Sequence, residues 1–293
     1  MKIVTNTRFM NYRENDEVVA IKKAMTLIKE AGFDAYDLSL TSMKDKSDSV
    51  FCGKDYLIKA QEIKNYSDKL GLPCCQAHAP CWHINRSESL NEINNYVYFC
   101  TRAIEICRIV NCPIIVIHPL HEYNEQENYE LVYAPLLLVA KKYNVKIATE
   151  NMWTYDKERA TIVHSICGTE ESFCKLIDLA NSEYLTGCVD IGHAEMQGVG
   201  YPTAPKLIRT MGKNRVGCLH VHDNDLIHDS HIYPYCGGID WNEIICALKD
   251  IEYGNHFTFE ADKMLKRYPN ELLIHVLRLL CETGKYLVSK IEK

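Results

Sequence analysis

Six short apolar runs of this chain end in residues able to bind a metal or move a proton. They carry His78 in Gln-Ala-His-Ala-Pro, His118 in Val-Ile-His-Pro and Glu150 in Ala-Thr-Glu-Asn. Asp190 and His193 follow in Val-Asp-Ile-Gly-His, then His220, His222 and Asp223 in Leu-His-Val-His-Asp-Asn-Asp, and Glu260 in Phe-Thr-Phe-Glu-Ala-Asp. From His78 through His118, Glu150, Asp190 and His222 to Glu260 the steps are 40, 32, 40, 32 and 38 residues. Taken singly, each has an ordinary role as a hydrogen-bonded rim residue, a helix cap or an ion-pair partner. Taken together, they set two glutamates and an aspartate in one buried place, where like charges repel and raise one another's pKa. A divalent cation removes that cost.

The expected ligands are Glu150, Asp190, His222 and Glu260. Such an oxygen-rich set suits Mn²⁺ or Mg²⁺, with Zn²⁺ or Co²⁺ as alternatives. Of the two histidines in His220-Val221-His222, one ring is expected to look inward. His222 lies nearer the end of the run and is taken as the ligand, with His220 packed against a helix. Asp229 and His231, in Asp-Ser-His, are candidates for an additional metal position with His78 and His118; the alternative is a polar loop over a substrate. Gly237-Gly238 in the same loop would let backbone N–H groups approach a ligand closely.

Equal spacing requires equal structural units. Apolar or β-branched runs at 2–5, 35–40, 74–78, 114–118, 146–150, 187–193, 217–222 and 256–260 read as strands. Helix-period stretches at 16–31, 55–70, 89–110, 128–142, 170–180, 205–211, 241–250 and 270–290 separate them. Gly32, Gly71 and Asn111 punctuate helix ends. Eight such units in one chain predict an α/β fold, a (β/α)8 TIM barrel spanning 1–293 as one domain, with the polar strand ends gathered on its carboxyl-end rim. A doubly wound sheet would want a glycine-rich phosphate loop after the first strand, and none is present.

Composition narrows the function. The 293 residues are 47% hydrophobic, enough for a large core, and 33 Lys and Arg against 39 Asp and Glu leave a net charge of −6. That balance disfavours nucleic acid and anionic membrane. No apolar run is long enough to span a membrane, and the N-terminal run lacks the form of a secretory signal, so a cytoplasmic location is expected. The 14 cysteines include no Cys-x-x-Cys pair. Cys100, Cys107, Cys188, Cys218 and Cys246 lie in apolar runs and are expected to be reduced and buried.

In order and spacing, these motifs resemble the xylose isomerase-like (β/α)8 superfamily of sugar isomerases and epimerases, related to endonuclease IV. The likeness covers nearly the whole chain. Resemblance to ketose 3-epimerases implies one Mn²⁺-like ion on Glu150, Asp190, His222 and Glu260. It also makes the two glutamates acid and base on opposite faces of the substrate, with His193 touching a substrate oxygen. Asp156 stands where those enzymes have an acidic residue, and His228 where they have an arginine. Resemblance to endonuclease IV implies instead a three-zinc phosphodiesterase with ligands among His78, His118, Glu150, Asp190, His193, His222, Asp229, His231 and Glu260. A related lyase acting on oxidised glycosides is a further alternative.

Charge separates these readings. Segment 119–127 has three Glu and no Lys or Arg, and 224–240 has neither cation. A polyanion needs cations to replace its counterions. The expected substrate is therefore a small carbohydrate, contacted by His78, His118, Trp153 and His228, with Trp82 and Tyr235 as further walls. Lys157, Arg159, Lys263, Lys266 and Arg267 leave room for a sugar phosphate. The resemblance also allows association into homo-oligomers through the outer helices.

Overall fold

A computed structural model describes residues 1–44, 47–198 and 203–293. Eight runs form one parallel sheet: β1 (Ile3–Asn6), β2 (Ala35–Ser39), β3 (Cys74–His78), β4 (Ile114–Val116), β5 (Lys146–Glu150), β8 (Leu185–Asp190), β9 (Val216–His220) and β10 (Phe257–Phe259). Their order around the ring is β10-β1-β2-β3-β4-β5-β8-β9. The ring closes between β9 and β10 at its carboxyl end. There Val221 N donates to Thr258 O (2.9 Å) and Glu260 N donates to Val221 O (3.1 Å). The (β/α)8 expectation holds.

Helices α1 (Glu17–Ala31), α2 (Tyr56–Leu70), α3 (Leu90–Val110), α5 (Ala134–Tyr143), α6 (Glu170–Ala180), α8 (Ala204–Arg215), α9 (Trp241–Asp250) and α11 (Leu273–Ile291) surround the sheet. Several return to the next strand through a left-handed residue. Gly32 has φ +97°, and Asn111, Asn144 and Asn181 have φ of 57°, 55° and 41°. Asparagine and glycine tolerate this region best. The stretch expected at 128–142 begins earlier, with the short α4 (Glu125–Asn128) and a wider π turn (Tyr129–Tyr133) ahead of α5.

A two-stranded hairpin was not foreseen: β6 (Trp153–Asp156) pairs antiparallel with β7 (Thr161–His164) immediately beyond Glu150. Short helices α7 (Ile191–Glu195) and α10 (Asp262–Leu265) also follow strand ends that carry polar residues.

Side chains two residues apart on a strand share a face. Inside the ring this builds layers. Val116, Ala148, Cys188 and Cys218 belong to one small buried cluster. Two residues further along the same strand lines stand His118, Glu150, Asp190 and His220. Small residues fill the narrow barrel beneath, and polar ones occupy the mouth. The described cysteines are all free thiols; Cys100, Cys107, Cys188 and Cys218 are buried as expected, whereas Cys246 is exposed on α9.

Candidate metal centre and its chamber

The strand register decides which histidine joins the carboxylates. Asp190 on β8 pairs with His220 on β9, not with His222. His220 Nδ1 lies 3.3 Å from Glu150 Oε2, 3.3 Å from Glu260 Oε2 and 3.8 Å from Asp190 Oδ2. One donor atom from each of Glu150, Asp190, His220 and Glu260 falls within 4.8 Å of the others. The expectation that His220 packs against a helix is therefore corrected. Both rings enter the barrel because their separation of two equals the strand period, and His222 stands one layer higher.

Electrostatics show what this layer demands. Burial pushes Glu150 up, but His220 and His118 outweigh it and hold the carboxyl well below its usual range. Burial likewise opposes the ionised Glu260, yet His220, His231 and His78 bring it down to about 2. His220 responds in the opposite sense: burial disfavours its charge, but Glu260 and Glu150 drive its pKa well up. The carboxylates thus call for positive charge at their centre. Glu150 Oε1, Asp190 Oδ2 and both His220 ring nitrogens are buried without a hydrogen bond. Orphaned donors of these types, close together, fit a divalent cation.

His222 belongs to a second cluster with His193, Asp229 and His231. Asp229 Oδ1 is 2.9 Å from His231 Nε2 and 3.7 Å from the Nε2 atoms of both His193 and His222. The rings of His222 and His231 stack at 4.1 Å. His222 Nε2 also lies 3.1 Å from Asp190 Oδ1, joining the two clusters. Burial raises the Asp229 pKa, but His231, His193 and His222 dominate and leave it strongly lowered. Asp229 and His231 of Asp-Ser-His thus converge with His193 and His222. His78 and His118, expected beside it, meet Glu150 instead. Their Nε2 atoms are 3.1 Å apart, and that of His118 is 3.1 Å from Glu150 Oε2.

Backbone carbonyls set several of these rings. His78 Nδ1 donates to Ala79 O (2.9 Å), His193 Nδ1 to Asn151 O (3.0 Å) and His231 Nδ1 to Glu260 O (2.7 Å). A carbonyl only accepts, so Nδ1 carries the proton and Nε2 faces the site. His231 adopts φ +44°, a strained position for a residue with a side chain. Gly192 of the Asp-x-Gly-His motif makes room for a ligand ring: a Cβ there would lie 1.9 Å from His222 Cε1. Gly237 serves the loop itself, since its Cβ would strike Asn224 O and Asp223 Oδ1 at 2.2 and 2.3 Å.

A cavity of about 480 Å³ opens over Glu150, Glu260 and His193, walled by Trp82 and Trp153. Two other expectations fall outside it. His228 is exposed, its Nδ1 2.8 Å from Asp225 Oδ2, and it lines a neighbouring cavity rather than this one. Tyr235 turns its ring toward Trp241 and Tyr286 on the exterior. The sequence reading missed His220, which the strand period could have supplied. It also missed Cys81, His83 and His121 at the cavity, which lie beyond strand ends where no period applies.

The family model for the xylose isomerase-like TIM barrel matches residues 25–282. An uncharacterized protein of Methanocaldococcus jannaschii is 23% identical over 256 residues, covering 82% of this chain and 79% of that protein. Among solved structures, a D-tagatose 3-epimerase-like protein superposes with a TM-score of 0.76 at 19% identity, over 100% of this chain and 98% of the other. A D-psicose 3-epimerase solved in the presence of D-fructose gives 0.70 at 14% identity, over 98% and 99%.

Proposed function

The chain belongs to the xylose isomerase-like TIM-barrel family, and from that premise we propose that it is a divalent-metal-dependent isomerase or epimerase of a small carbohydrate. The observation that carries this reading is the meeting of Glu150 and Glu260, each 3.3 Å from one imidazole nitrogen at the floor of the chamber. The epimerases among the structural neighbours support the choice of substrate class.

Glu150, Asp190, His220 and Glu260 would hold the ion. When bound, it supplies Lewis-acid stabilisation of negative charge developing on a substrate oxygen. Glu150 and Glu260 come from strands three places apart in the ring and approach the chamber from different sides. Both carboxyls are held ionised, the state a general base requires. One removes the proton beside the substrate carbonyl. The other, once it has taken a proton from solvent or from a substrate hydroxyl, delivers it to the opposite face for epimerisation, or to the neighbouring carbon for isomerisation. His193, with Nδ1 fixed on Asn151 O, presents an unprotonated Nε2 that accepts from a substrate hydroxyl. Trp82 and Trp153 flank the sugar ring and exclude water.

Solvent-deuterium exchange at the carbon next to the carbonyl tests this in Mn²⁺-loaded protein across a ketose and aldose panel. Glu150→Gln and Glu260→Gln should each reduce exchange by at least about 10³-fold. Normal exchange in both variants rules out the two-carboxylate scheme.

A second reading rests on the His193, His222, Asp229 and His231 cluster and on His78 and His118 at Glu150. These extend the four-donor layer toward the three-zinc pattern of endonuclease IV-like phosphodiesterases. The uncharged-to-acidic composition of 119–127 and 224–240 opposes a DNA substrate. Three tightly held zinc ions with cleavage at abasic sites would establish this reading over the first.

A further inference from the structure

The chamber does not end at its aromatic walls. A neighbouring cavity of about 430 Å³ shares Trp153, Tyr155, Asp229 and Lys263 with it and continues along Ile162 and Ile227. The hairpin joins the two. Trp153 and Tyr155 are two apart on β6 and share a face. In the register, Tyr155 pairs with Ile162 on β7, and directly paired residues present their side chains to the same face. Trp153, Tyr155 and Ile162 therefore form one apolar strip from the inner chamber to the outer. Trp153 and Tyr155 are about 7 Å apart along the strand.

The outer end of the strip faces solvent: Tyr155 is 52% and Ile227 59% exposed. Exposed apolar groups lining a cavity beside a reaction site mark a ligand surface. Charge limits the ligand. Among the described lining residues, the Lys and Arg side chains are Arg8 and Lys263. Lys263 Nζ is bound to Asp229 O (2.6 Å) and Oδ2 (3.2 Å), and Arg8 lies 3.9 Å from Asp262. Lys263 is thus balanced by Asp229, and the charge of Arg8 is balanced by the Asp262 and Glu260 carboxylates.

We propose that the substrate is a two-ring uncharged carbohydrate: a carbonyl-bearing sugar unit over Glu150 and Glu260, carrying a second ring whose apolar face lies on Tyr155, Ile162 and Ile227. This rests on the carbohydrate reading above and narrows its substrate class.

The probes are fructose, fructose 6-phosphate, and the ketose-ended disaccharides maltulose and lactulose. Solvent-deuterium exchange by Mn²⁺-loaded protein and calorimetric binding are measured for each. The expected kcat/KM for exchange and affinity are at least tenfold higher for a disaccharide than for either one-ring probe. Tyr155→Ala and Ile227→Asp, both at exposed positions that leave folding intact, should bring that ratio close to one. Equal or better use of fructose or its phosphate overturns the proposal, as does a ratio indifferent to both variants. Tight disaccharide binding without exchange of any probe upholds the two-ring cleft and overturns the isomerase reading. No binding of any probe overturns both.

Discussion

His220 and His222 differ by one layer, and that difference has a measurable consequence. His220→Ala removes a donor from the layer holding Glu150, Asp190 and Glu260, so affinity for Mn²⁺ there should fall by more than about 100-fold. His222→Ala empties a position in the upper cluster and should leave that affinity within about tenfold of the parent. Metal titration of both variants distinguishes them; the reverse ranking would restore His222 as the ligand. Beneath the same layer lies Asp37, whose Oδ2 accepts from Gln76 Nε2 at 3.1 Å. Burial is the main influence on it and, with Glu260 and Glu150 against a downward pull from His220, pushes its carboxyl up to about 7. The unfolded carboxyl titrates near 3.9. Between those values the folded state holds more protons than the unfolded one, so this group's contribution to stability declines as pH rises through the window. Asp37→Asn removes that dependence. In chelator-treated protein its Tm should exceed the parent's near pH 8, with the gap shrinking toward pH 4. A gap that does not grow with pH contradicts the assignment.

At the scale of elements, the loop after β9 shows how one side chain holds a cluster in place. Asp223 Oδ1 accepts from Asn224 N (2.8 Å) and Ile239 N (3.2 Å), and Oδ2 accepts from Tyr235 N and Trp241 Nε1, both at 2.9 Å. The loop bearing Asp229 and His231 is thereby tied to the start of α9. Asp223→Ala should destabilise the fold by about 3 kcal/mol or more and speed amide exchange at Tyr235 and Ile239. Unchanged exchange there would mean the loop is held by other contacts. The sequence displayed this carboxylate in His-Val-His-Asp-Asn-Asp, but its partners other than Asn224 lie 12 to 18 residues on, and no local pattern announces them. Strands and major helices were legible because burial on both faces of a parallel sheet writes apolar runs, and helix ends write Gly or Asn. The β6–β7 hairpin was not. Its run Trp-Thr-Tyr-Asp is short and half exposed, with no core-facing period. Likewise, the six-run spacing set Glu150, Asp190 and Glu260 on one rim, while strand register, which spacing does not specify, brings His220 beside them.

For the whole molecule, the weakest join is also the place where the site is built. Neighbouring strands elsewhere in the ring share ladders, but β9 and β10 meet chiefly through Val221, whose N–H and C=O reach Thr258 O and Glu260 N. His220 stands on one side of that seam and Glu260 on the other, 3.3 Å apart at their nearest charged atoms. Without a cation, Glu150, Asp190 and Glu260 repel one another across it, opposed by imidazole charge and by Arg8 near Glu260. A divalent ion held by His220 and Glu260, as proposed above, would tie the two edges together. Metal should therefore slow amide exchange at Val221 and Glu260 specifically, while Leu40, whose N–H donates to His78 O at 2.8 Å on the far side of the ring, should exchange at the same rate with or without it. Global stability should rise with free metal by about 2.7 kcal/mol at 100 times the Kd. Equal protection of Val221 and Glu260 in loaded and chelated protein would place the ion away from the seam and undo the four-donor assignment, since no ion held by both His220 and Glu260 can bind without bridging it.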